Sequence, residues 1–137
     1  MLFYRKLLVG YRARFHKNPM KKIQKYLTRL YQSGDEDNFI TILDDPFYLQ
    51  ILCGRNSPRL FIVAVSNAHL IEEEKLTKDQ EAQILMLGYV IDPKSGNYSI
   101  EMPMSLEDIP KIADFIEKTS AIYDINLETA DFEEEID

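Results

Sequence analysis

The chain has 137 residues, 45% of them apolar, a formal charge of −7 and a single cysteine. Its length fits one domain. No repeat, low-complexity tract or apolar run of about 18 residues argues for a solenoid, a disordered chain or a membrane span. One cysteine excludes an intrachain disulfide, and bases interrupt each short apolar run near the N-terminus, so a cytoplasmic, reducing environment without a secretory leader is expected.

Charge divides the chain unevenly. Residues 1–34 hold nine Lys or Arg and no acid, whereas the remaining seven bases and all 23 acids follow, so the two parts carry about +9 and −16. Within residues 1–19, Leu7, Leu8, Tyr11 and Phe15 recur at helical spacing with bases between them. This predicts a basic amphipathic extension, weakened by Gly10 and ended by Asn18-Pro19. Docking against the acidic remainder, or plain solvation, is favoured over contact of residues 1–17 with an anionic membrane surface. The extension is expected to be dispensable for folding. Met20, just after it, is an alternative natural start.

The domain proper is expected over residues 20–125. Ile23, Leu27, Leu30 and Tyr31 predict a helix from Met20 to Ser33, with Ser33-Gly34 ending it. An acidic loop, 35–38, leads to three strands over 39–44, 47–53 and 59–66. Asp45-Pro46 forms the first turn and residues 54–58 the second. After an irregular link carrying Glu72-Glu73-Glu74, Thr77 and Gln80 form a capping box, and Ala82, Leu85 and Met86, flanked by Ile84 and Leu87, form the apolar stripe of a second helix. Gly88 ends it in a left-handed conformation. Tyr89-Val90-Ile91 and Tyr98-Ser99-Ile100 then flank a turn rich in Asp, Pro, Gly and Asn. A last helix runs from near Ser105 to Tyr123, with Asp108 as its favoured cap and Pro110 in its first turn. Residues 126–137 form an acidic tail, expected to be frayed, with Leu127, Phe132 and Ile136 as anchors.

The order is α-β-β-β-α-β-β-α, an α+β fold with a five-stranded antiparallel sheet. Together with Leu87, Gly88, Tyr89, Pro93, Asn97 and Tyr98, it resembles the type III secretion chaperone-like (YbjN and TY-Chap) domains. Tyrosines stand after Gly88 and Asn97 where those domains often carry tryptophan. The resemblance implies a non-enzymatic protein-binding module that uses its sheet region to capture an unfolded client or to pair with its own copy.

Strand register supplies an argument of its own. A two-residue turn at Asp45-Pro46 pairs Asp44 with Phe47, Ile42 with Leu49 and Ile40 with Ile51, and the second hairpin sets Cys53 opposite Leu60, Ile51 opposite Ile62 and Leu49 opposite Ala64. One face then collects Ile40, Ile42, Phe47, Leu49, Ile51, Cys53, Leu60, Ile62 and Ala64 as core. The other face carries Phe39, Leu43, Tyr48, Leu52, Phe61, Val63 and Val65, relieved only by Thr41, Gln50 and Arg59. A sheet wet on one side should alternate apolar with polar. This one does not, so the N-terminal helix, a second copy or an extended client segment is expected to cover it.

Catalytic and metal chemistry find little support. His16 and His69 have no second ligand at metal spacing, Cys53 has no sequence-apparent base, and Asp44 and Asp45 point to opposite faces. No phosphate-binding loop is present, no cofactor or small-molecule substrate is expected, and the overall acidity opposes nucleic acid. The main alternative function is an inhibitor or immunity-type protein that neutralises a folded partner through its acidic surface.

Overall fold

The chain's structure is a computed structural model that describes residues 18–33 and 38–136. The expected amphipathic extension of residues 1–17 and the loop at 34–37 lie outside the described residues. Helix α1 (Pro19–Ser33) begins one residue before Met20. The Asn18 side-chain oxygen accepts from the Met20 amide at 2.9 Å, and Pro19 supplies a pre-set φ at the first helical position. The same Asn-Pro pair that would stop a helix before it therefore starts this one. Ile23, Leu27 and Leu30 are its buried face.

Strands β1 (Phe39–Asp44), β2 (Phe47–Leu52) and β3 (Arg59–Ala64) follow as antiparallel neighbours. Asp44 pairs with Phe47, Ile42 with Leu49 and Ile40 with Ile51; across the next ladder Ile51 pairs with Ile62 and Leu49 with Ala64. Two short 3-10 turns, Asn67–His69 and Glu72–Glu74, occupy the link. They lead to helix α2 (Lys78–Met86), strand β4 (Val90–Ile91), strand β5 (Tyr98–Pro103) and, after a 3-10 turn, helix α3 (Ile109–Ile122).

The sheet has six strands in the order β4-β5-β3-β2-β1-β6, which corrects the expected five. The added strand, β6 (Asp131–Glu135), lies in the acidic tail and pairs antiparallel with β1. Its sequence, DFEEE, has one apolar residue, so neither propensity nor alternation marks it. Position does: an edge strand needs to bury only one side, and Phe132 supplies it, 5.0 Å from the Tyr26 ring and 4.2 Å from the Lys22 ammonium. Leu127 and Ala130, both buried, hold the approach to the strand.

The described helices lie on one face of the sheet. α1 packs on α3. α3 lies against the sheet through Tyr123, whose hydroxyl donates to the Val65 carbonyl and whose ring sits 5.8 Å from Phe47. Ile23, Leu27 and Leu30 of α1 and Ile109, Ile112, Ala113 and Ile116 of α3 close the core over Ile40, Ile42, Leu49, Ile51, Leu60 and Ile62. Each such aliphatic side chain contributes on the order of 1.5–3 kcal/mol by leaving water. Ile122, expected in this face, is half-buried, and Thr119 and Ser120 are buried in its place.

The expected stripe on α2 is also corrected. Ala82, Leu85 and Met86 are exposed, Met86 to 87%, and Ile84 is the buried residue. Gln80 decides the rotation: its amide nitrogen donates to the Ile122 carbonyl at 2.9 Å, which turns Gln80, and Ile84 four residues on, toward α3.

Candidate functional site

The face of the sheet away from the helices is the candidate site. Cross-strand pairing places its side chains in rows. Glu135, Phe39, Leu52, Phe61 and Glu101 form one row, and Glu133, Thr41, Gln50, Val63, Ser99 and Val90 the next; Asp131, Leu43 and Tyr48 begin a third. Phe61 is 43% exposed. Phe39, Leu43, Leu52 and Val63 are half-buried and stand outside the core cluster.

Of the expected partner-binding residues, one lies in the core and a second stands at the border of the face. Val65 is buried to 1% exposure, because β3 ends at Ala64 and the alternation that would have aimed it outward ends with it. Tyr48 packs against the core rim and accepts from the Asn97 side-chain amide at 3.1 Å. One residue was not singled out from sequence: Val90, 63% exposed, which sets an apolar side chain at the β4 edge, beside Ser99. Its signal lay in the Tyr89-Val90-Ile91 alternation, where the neighbour Tyr89 is buried and Val90 must point the other way.

The rim of this face is acidic. β6 contributes Asp131, Glu133 and Glu135, all exposed, and Glu101 stands on the far side of Phe61, paired with Arg59 at 2.7 Å. Among the described residues no base is paired with Asp131 or Glu133. Glu134 alternates to the helix side, where Arg29 meets it at 2.6 Å.

The Leu-Gly-Tyr and Asn-Tyr motif residues turn out to brace the fold. The capping box is complete: the Thr77 amide donates to the Gln80 side-chain oxygen at 2.8 Å, and the Gln80 amide to the Thr77 hydroxyl at 3.1 Å. Leu87 is the C-cap, and Gly88 follows at φ +109°. Buried Tyr89 shares a hydrogen bond with the Thr119 hydroxyl at 2.9 Å and packs 5.5 Å from Phe115. Tyr98 is buried and donates to Glu81. Pro93, exposed, sits in the β4–β5 turn, which Asp92 organises by accepting from the Lys94 amide and the Ser95 hydroxyl. Those two bonds, the Lys94 amide first, hold the Asp92 carboxyl below the usual carboxylate range.

The nucleophile and ligand candidates are placed as follows. Cys53 is buried, its thiol donates to the Gly54 carbonyl at 3.3 Å, and burial pushes its pKa up to about 11, so the thiolate is disfavoured. His69 is exposed and bonds the Ser95 carbonyl through Nε2; His16 lies outside the described residues. Among the described residues no group of three or more His, Cys, Asp or Glu is arranged to hold a metal, and no helix is long and apolar enough to cross a membrane. No family model matches the chain, and neither does any curated protein or solved structure.

Proposed function

We propose that this α+β domain is a non-enzymatic protein-binding module, resembling the type III secretion chaperone-like domains, whose open sheet face receives a segment of a partner protein. The observation that carries the reading is the run of Phe39, Leu43, Leu52, Phe61, Val63 and Val90 across a face that no described helix covers. Covering each of these side chains contributes on the order of 1 kcal/mol, and the acidic rim adds selection for a cationic partner more than it adds affinity. The fitting partner is therefore an amphipathic, basic segment.

The test sets wild-type protein against Phe61→Glu in native cell extract, with circular dichroism to verify the fold. Binding through the face requires a partner retained by the wild type and lost by the folded variant, then reproduced with the purified partner. Identical partner sets overturn it. The acidic row on β6 favours a second reading, an inhibitor of a folded partner. In that case Phe61→Glu leaves binding intact, and Glu133→Lys removes it.

A further inference from the structure

We infer that residues 1–17 of this same chain occupy the open sheet face while no partner is bound, an inference that rests on reading the face as a protein-binding surface. Three observations converge. The first is chemistry. Residues 1–17 carry five Lys or Arg and no acid, interleaved with Leu2, Phe3, Leu7, Leu8, Tyr11 and Phe15. That composition complements an apolar face whose β6 border carries Asp131 and Glu133. The second is the point of departure. Lys22 lies over Phe132 and Arg29 pairs with Glu134, so α1 runs beside the edge strand β6 with its N-terminal end toward Asp131. The chain before Asn18 thus starts from the helix side of the sheet at its β6 edge, the edge that carries Asp131 and Glu133, and has to round that edge to reach the open face.

The third is reach. Six strands at about 4.8 Å spacing make a face roughly 24 Å wide, and seventeen residues span about 25 Å even if wholly helical and up to about 56 Å if extended. A second copy of the chain is a poorer occupant. Self-complementary pairing that sets one β6 edge against the other brings Asp131 and Glu133 of the two copies together. Tethering also favours the intramolecular occupant, because its effective concentration does not fall on dilution. A partner segment must then displace residues 1–17, which makes them a built-in competitor for the site.

The test uses the full chain with a nitroxide on Ala13→Cys; Cys53, buried, stays unlabelled. Docking predicts that the Thr41, Leu52 and Phe61 amide signals lose about half or more of their intensity, and that about tenfold dilution changes nothing. Asp131→Lys with Glu133→Lys should restore the signals while circular dichroism stays unchanged. Full intensity at those amides overturns the inference, and so does broadening that fades on dilution, which would assign the face to a second copy. Lost broadening beside a partner that depends on Phe61 sinks the docking of residues 1–17 and leaves the binding reading standing. Retained broadening beside partners indifferent to Phe61 does the reverse.

Discussion

The side-chain oxygen of Asn97 accepts a hydrogen bond from the backbone amide of Ser66 at 3.0 Å, across 31 residues of chain. Its amide nitrogen donates to the Tyr48 hydroxyl at 3.1 Å, and the Ser66 hydroxyl donates to the Gly96 carbonyl at 2.6 Å. One buried amide thus ties the β4–β5 turn to the end of β3 and to β2. Asn97→Ala strands the buried Ser66 N–H, a loss expected to cost about 1–3 kcal/mol in urea unfolding. A midpoint unchanged from wild type would mean that water or another acceptor replaces the side chain.

Gly88 is the second architectural position. At φ +109° a Cβ is strained, and one built there meets Ile100 Cδ1 at 3.2 Å. That atom ends a flexible side chain and can move, so the backbone supplies most of the penalty. Gly88→Ala should cost on the order of 1–2 kcal/mol, and β-branched Gly88→Val more. Equal stability of all three proteins in chemical denaturation would show that the helix stop tolerates a right-handed backbone.

Adjacent residues on β3 separate the two faces. Ile62 is fully buried under the helices, whereas Phe61 opens to solvent. Ile62→Glu buries an unpaired charge at a cost of several kcal/mol and should abolish the thermal transition. Phe61→Glu can keep its carboxylate in water by releasing whatever lies on that face, and should shift the melting temperature by no more than a few degrees. If both variants unfold, the second face is covered in the wild-type protein by something that its stability needs.

Alkaline pH should destabilise the domain through its buried phenols. Burial, and for Tyr123 also neighbouring phenols, holds Tyr89 and Tyr123 protonated far above the ordinary tyrosine range; burial and then the Glu81 charge shift Tyr98 the same way. Unfolded tyrosine ionises near 10, so this contribution to stability is complete below that pH and drains away as pH rises past it toward the folded values. Urea midpoints should hold up to about pH 9 as far as these groups are concerned and fall above about 10. Tyrosinate absorbance appearing at its ordinary pH with circular dichroism intact would place the three hydroxyls in water.

What could be read along the chain was whatever its near neighbours decide. The Thr77–Gln80 capping box, the positive φ at Gly88 and the pairing of Asp44 with Phe47 each involve groups a few residues apart, where residue type and spacing leave few alternatives. Alternation then carried the register outward and separated Ile62 from Phe61. It failed at Val65, where the strand stops and the period has no further meaning. Tertiary structure alone decided the rest. β6 pairs with β1 some ninety residues earlier because that edge, with Tyr26 and Arg29 beside it, could use one phenylalanine and one carboxylate from a strand otherwise acidic. Gln80, by reaching Ile122, chose which side of α2 went inward. Asn97 looked like a turn residue and became a buried brace, because its partners at Ser66 and Tyr48 come near only when the sheet has closed.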